Sequence, residues 1–215
     1  MQCPRRYGTL SRAPTLRIAM KITLVGSRWF GTETLRLLRE RDADIARAVV
    51  PAADDRLGTA ARDAGIDVYV LPDHRIVDAD AIVPATDLIV SAHNHARVSA
   101  GALSRARLGG IGYHPSLLPR HRGIAAIEWT IKSRDAITGG TIYHLAERMD
   151  AGAIAAQDWC FVKPDETARE LWERALAPIG LRLLVDVVEH ARAHGSLPSK
   201  PQDEQFATQA PRLDS

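Results

Sequence analysis

Two cysteines in 215 residues, Cys3 and Cys160, are too few and too far apart for a disulfide framework. Neither sits in a C-x-x-C spacing, so no metal is expected, and a reduced, cytoplasmic chain is the plain expectation. No apolar run approaches ~18 residues, which argues against a membrane span. No G-x-G-x-x-G follows a strand-like segment, so a dinucleotide loop is missing as well. There is no internal repeat and no low-complexity tract. A basic stripe is also absent, although the net charge is +2. The first 19 residues hold Arg5, Arg6, Arg12 and Arg17 and no acid, a charge of +4, which leaves −2 for the rest. A mildly acidic body argues against nucleic acid as the main partner. The same 19 residues lack the apolar core of a signal peptide and are expected to form a disordered basic extension.

What is present fits one globular domain. The chain is 46% hydrophobic and 25% charged, with enough length to bury a core unaided. From Met20 onward, short apolar runs alternate with helical segments. Lys21–Val25, Asp44–Val50, Asp67–Leu71 and Asp87–Ala92 read as strands, with helices predicted over "TETLRLLRER" and "RLGTAARDAG". This alternation means βαβ units and a parallel sheet covered on both faces. "IAAIEWTIKSRD" is predicted helical, with Ile124, Ile127 and Ile131 on one face. Gly139–Ala146 and Ala153–Val162 read as an antiparallel pair, which makes the sheet mixed. Asp165–Gly195 is predicted as one long helix with Asp165 as N-cap, a kink at Pro178 and a stop at Gly195. The expected division is an extension (1–19), a catalytic domain (20–195) and a surface tail (196–215).

Ligands of open α/β sheets bind beyond the carboxyl ends of the strands, and three loops qualify. "GSRWFG" (Gly26–Gly31) is too bulky at Trp29 and Phe30 to cradle a pyrophosphate. "SAHNHARVS" (Ser91–Ser99) sets His93, Asn94 and His95 at a strand end, where a polar pocket lining is expected. "GYHPSLLPRHRG" (Gly112–Gly123) places His114 just after an apolar run. That imidazole has two readings: a core histidine bonded to a backbone carbonyl, or a catalytic group. Asp150 in the turn "MDAG" favours the second, because a His and an Asp on neighbouring loops make an acid–base or electrostatic pair.

Taken together, "HPSLLPRHRG", "TGGTIYHLAERMDAG" and "KITLVGSRWFG" resemble the formyltransferases that use 10-formyltetrahydrofolate, over about Met20 to Pro211. The resemblance implies a Rossmann-like α/β fold with a mixed, mostly parallel sheet and helices on both faces. It implies 10-formyltetrahydrofolate as formyl donor and catalytic roles for His114 and Asp150. The pterin would lie against His93, Asn94, His95 and Val98 on one side and Glu147, Arg148, Met149 and Gly152 on the other.

One position departs from that family. The transferases carry an Asn two residues before the catalytic His, and Gly112 stands there. The hydrolase domain of 10-formyltetrahydrofolate dehydrogenases also lacks the Asn, and it shares the wording "YHPSLLPRHRG". Methionyl-tRNA formyltransferases carry a further C-terminal domain, and the glycinamide ribonucleotide enzymes carry a small-residue phosphate cradle where "GSRWFG" stands. The leading expectation is therefore formyl transfer to a small-molecule amine. Hydrolysis, with water as acceptor, is the alternative, and an inactive folate-binding protein a third. Asn94 or a neighbouring histidine is the expected substitute for the side chain missing at Gly112.

Overall fold

The computed structural model describes residues 19–213. The basic extension expected over 1–19 lies, but for its last residue, outside the described residues. Strands β1 (Lys21–Gly26), β2 (Asp44–Val50) and β3 (Asp67–Val70) alternate with helices α1 (Arg28–Arg39) and α2 (Arg56–Asp63). Two-residue strands β4 (Ile76–Val77) and β6 (Arg97–Val98) flank β5 (Leu88–Ala92). Then come α3 (Ala100–Leu103), β7 (Gly110–His114), α4 (Ala126–Lys132), β8 (Ile137–His144) and β9 (Ile154–Phe161). The last helices are α5 (Ala168–Leu171) and α6 (Ala177–His194).

The main sheet has the order β3-β2-β1-β5-β7-β8-β9. The first five strands are parallel, and β7–β8 and β8–β9 are antiparallel, so the sheet is mixed as expected. The central strands β1 and β5 are mostly apolar because both of their faces are covered. On one face Phe30, Leu35 and Leu38 of α1 and Leu184, Val187 and Val188 of α6 pack on Ile22, Leu24 and Val90. On the other face Val77, Ile82, Val98 and Ala102 pack on Val25, Val49 and Ile89. This second layer is thin: α3, a 3₁₀ turn at Ala79–Ala81 and the β4–β6 pair.

Four local expectations need correction. Helix α1 begins at Arg28 rather than Thr32, so "GSRWFG" is a strand end and a helix start with little loop between. Ile124 precedes α4 and is 53% exposed, while Ile127 and Ile131 pack on Leu171, Ala175 and Leu176. The long C-terminal helix is interrupted by a π-turn over Trp172–Leu176. Pro178, which has no N–H to return to the carbonyl four residues back, sits directly after that wide turn. The helix is capped by Thr167, not Asp165, because Thr167 and Glu170 form a reciprocal capping box. Gly195 closes α6 in the left-handed conformation, φ 70°, which fits the expected stop.

The switch in strand order lies between β1 and β5, and there the backbones crowd. A Cβ on Gly26 would stand 2.2 Å from the Ala92 carbonyl oxygen. Gly26→Ala is expected to lower stability by about 1–3 kcal/mol, read as a lower urea midpoint with an unchanged slope.

Candidate active site

A cavity of about 610 Å³ opens beyond the carboxyl ends of β5 and β7, and His93, His95, Val98, His114, Glu147, Met149 and Asp150 are among its lining residues. His114 is the last residue of β7 and is buried. Its Nε2 donates to the carbonyl oxygen of His121 at 2.7 Å, and its Nδ1 faces Asp150 Oδ2 at 3.6 Å. Both sequence readings of this ring are therefore realised, one on each nitrogen. A carbonyl can only accept, so Nε2 carries a proton and Nδ1 is the nitrogen free to gain or lose one. At 3.6 Å the Asp150 contact is an ion-pair distance that leaves Nδ1 available to another partner.

Asp150 is buried in the turn between β8 and β9, with φ 53°. Its Oδ2 accepts the backbone N–H of Gly123 at 2.9 Å, which joins this turn to the end of the His114 loop. Tyr143, on β8, lines the same cavity beside His114 and Asp150. Burial, then the Asp150 charge, pushes that phenol well above its ordinary pKa and keeps it a neutral donor.

The loop from Pro115 to Gly123 is held by side chains distant in sequence. Thr141 Oγ1 donates to Ser116 O at 2.7 Å and accepts from Leu118 N at 3.1 Å, and Gln157 Nε2 reaches Leu118 O at 2.9 Å. His121 Nε2 donates to Asp135 at 2.7 Å, and its own N–H is taken by Thr208 Oγ1 at 2.8 Å. The segment after α6, expected as a surface tail, is in part a strap over this loop. Thr208 O accepts from Arg122 N, Ala210 N donates to Arg122 O, and Ala210 is fully buried. The Arg122 guanidinium, 2% exposed, is held by Gln202 Oε1 at 2.6 Å and by Glu204 at 2.7 and 2.9 Å. Gln202 Nε2 in turn donates to the carbonyls of Asp150 and Gly152, at 2.8 and 2.6 Å.

The far wall carries two histidines. His93 takes φ 57° after β5, and Ser27 Oγ donates to its carbonyl at 2.7 Å. Its Nε2 is buried without a hydrogen-bond partner. Burial first, then the facing His95 and Arg28, lowers its pKa from 6.5 to about 4, against an opposing pull from Asp55. His95 is lowered in the same direction, by burial and then by Arg28 and Arg212. Both rings are therefore neutral, polar lining at pH 7.

With this geometry in hand, comparison with known proteins is direct. The formyl transferase family pattern matches residues 35–188. The chain belongs to the formyl transferase family. It is 34% identical over 200 residues to cytosolic 10-formyltetrahydrofolate dehydrogenase of Mus musculus, a match covering 88% of this chain and 22% of that protein. It thus spans about a fifth of the length of the curated relatives of this kind. Phosphoribosylglycinamide formyltransferase from Bacillus halodurans is similar in fold, with TM-score 0.69 at 20% identity over 82% of this chain and 97% of that one. So is an N-formyltransferase from Helicobacter canadensis, in complex with folinic acid and dTDP-3-aminofucose. There the TM-score is 0.71 at 16% identity, over 90% of this chain and 71% of that one.

Within this formyl transferase domain most of the sequence-expected site residues converge, and some do not. Asn94 reaches the cavity wall, but its side-chain amide closes on Ala96, donating to its carbonyl and accepting its N–H. It is thus committed to the turn and is no substitute at Gly112. Arg148 is turned to Glu204 at 3.4 Å and does not line the cavity. Gly152 lies outside the lining too: a Cβ there would stand 1.7 Å from His144 O, so its role is backbone approach. Gly112 is itself covered, because a Cβ there would meet Leu145 Cδ2 at 3.0 Å and the Tyr143 ring at 3.3 Å. Sequence reasoning missed Tyr143, the Gly123 N–H, and the aromatic group of Phe30, Tyr113 and Trp172 at the other end of the cavity. The strand alternation of β8 was the only signal for Tyr143, and nothing local pointed to the others.

Two expectations follow from this site. Gln202→Leu removes four hydrogen bonds, two from Arg122 and one each to the carbonyls of Asp150 and Gly152, and should cost about 1–3 kcal/mol in thermal or urea unfolding. His93 is a histidine whose native pKa is depressed, so below about 6.5 the unfolded chain binds a proton that the native ring refuses. Stability therefore falls as pH drops from 6.5 toward 4, and His93→Gln should flatten that part of a stability-versus-pH curve.

Proposed function

We propose that this domain removes the formyl group of 10-formyltetrahydrofolate, with water as the favoured acceptor. The observation that carries the reading is His114 Nδ1 facing Asp150 Oδ2 at 3.6 Å in a cavity at the carboxyl edge of the sheet. The folate ring system is assigned to the side walled by His93, Val98, Glu147 and Met149.

The chemistry then runs through two side chains. Water attacks the formyl carbon, and its proton moves toward the Asp150 carboxylate. Charge developing on the formyl oxygen is met by the Nδ1–H of protonated His114, whose ring is oriented by the Nε2 bond to His121 O. The C–N10 bond breaks as the proton passes to N10, and formate, tetrahydrofolate and one proton leave. The Gly123 N–H holds Asp150 in place throughout.

The acceptor side favours water through what already occupies it. A helix start at the end of a strand is a natural phosphate site, but here the Asp55 carboxylate accepts the Arg28 N–H at the start of α1, at 3.1 and 3.2 Å. The same carboxylate caps α2 through Leu57 N at 2.8 Å. A phosphate-bearing acceptor would meet a fixed negative charge there. The small-molecule amine remains the second reading, limited to amines without phosphate. The cavity favours it by having apolar lining beyond what a water needs, Phe30, Ile127 and Trp172 among it.

The test is to incubate the protein with 10-formyltetrahydrofolate alone and measure formate against tetrahydrofolate. Equal release of both is expected, with His114→Ala and Asp150→Asn each lowering kcat by about 10²–10³. Formyl loss that needs an added amine would move the assignment to the second reading. A wild type no faster than the His114→Ala background would leave only a folate-binding protein.

A further inference from the structure

Gly112 on β7 is paired directly with Tyr143 on β8. Cross-strand partners stand on the same face of a sheet, so a glycine at one place frees room for a large side chain at the other. The Tyr143 ring uses that room: its Cε1 and Cζ lie 3.3 and 3.4 Å from where a Gly112 Cβ would be. Leu145 Cδ2, at 3.0 Å from the same point, closes the other side. The ring stands edge-on to His114, with centroids 6.4 Å apart and planes at 89°, and it lines the cavity. The Asp150 carboxylate, which lines the same cavity, acts on the Tyr143 hydroxyl and raises the phenol pKa after burial.

The donors and acceptors around that hydroxyl settle its direction. An ionised carboxylate can only accept, so a neutral phenol beside Asp150 has its one proton to offer in that direction. The phenol oxygen is then left with lone pairs and no further proton to give. A nucleophile arriving between Tyr143 and His114 brings O–H or N–H groups that need an acceptor.

We propose that Tyr143 is the nucleophile-positioning residue of this site, its phenol O–H directed to the Asp150 carboxylate and its phenol oxygen accepting a hydrogen bond from the attacking water or amine. The inference rests on the functional reading above and adds to it the group that aims the nucleophile. One O–H or N–H of the nucleophile is held by Tyr143, and the proton lost in the attack moves to Asp150. Gly112 matters because it lets the ring lie against β7 with its hydroxyl at Asp150.

The test compares wild type, Tyr143→Phe and Gly112→Ala with 10-formyltetrahydrofolate, measuring formate release and the Kd of tetrahydrofolate. Tyr143→Phe is expected to lower kcat on the order of 10²-fold, the scale of a misplaced reacting group, with KM and Kd within about twofold of wild type. Gly112→Ala, which pushes the ring aside without removing the hydroxyl, should lower kcat by a smaller factor at unchanged Kd, and keeps the test open if Tyr143→Phe fails to fold. A Tyr143→Phe enzyme with wild-type kcat, or with KM raised at constant kcat, would overturn the proposal and make Tyr143 a wall of the folate pocket. A wild type that releases no formate and transfers no formyl group would overturn the functional reading, and this proposal with it.

Discussion

A guanidinium buried to 2% exposure cannot be left unpaired, and the way Arg122 is paired organises the site. Its partners, Gln202 and Glu204, come from the segment after α6 and not from the sheet. Gln202 spends its oxygen on Arg122 and its amide hydrogens on the carbonyls of Asp150 and Gly152. One side chain therefore ties the loop that ends β7 to the turn that follows β8. The Gly123 N–H bonded to Asp150 makes a second tie between them. The spacing between His114 and Asp150 is held by this frame, since the two residues themselves stand beyond hydrogen-bonding distance.

The fold was largely legible because its signals are local. Runs such as Leu88–Ala92, buried at every position, read as central strands without reference to any partner. The break in the C-terminal helix was harder. Pro178 announced an interruption, but the π-turn lies one turn earlier, where the Tyr113 hydroxyl binds the Leu176 carbonyl at 2.6 Å. A Cβ on Gly180 would come within 2.5 Å of the same ring, so helix and strand are shaped to each other across some sixty residues of chain. No periodicity records such a contact.

The site divides in the same way. His114 and Asp150 stood out because one closes a strand and the other sits in the turn between two, each a residue type that carries chemistry. The residues that orient them were hidden by distance in sequence: Thr208 on His121, Gln157 on Leu118, Gln202 on Asp150. Asn94 misled for the opposite reason. Its amide looked free for a ligand, yet a short polar side chain at a strand end commonly closes on its own backbone two residues on, as it does at Ala96.

Gly112 differs from Gly26, Gly139 and Gly152 in what crowds it. Gly26, Gly139 and Gly152 face carbonyl oxygens at 2.2, 2.0 and 1.7 Å, and backbone cannot withdraw from a methyl group. Gly112 faces only the side chains of Tyr143 and Leu145. Its constraint is therefore conditional: a smaller residue at 143 or 145 would free the space for a side chain at 112. On the proposed reading, the chemistry offered to the nucleophile is decided by this cross-strand group rather than by position 112 alone. A side chain rooted on β7 would project its polar end from the same strand as His114, whereas a phenol rooted on β8 brings its polar end to Asp150. On the proposed reading, moving the polar group from one strand to the other moves it from the oxyanion side of the formyl carbon to the proton-accepting side. That arrangement suits a nucleophile that must lose a proton as it attacks, and it suits water best, because water brings no scaffold of its own to hold it in line.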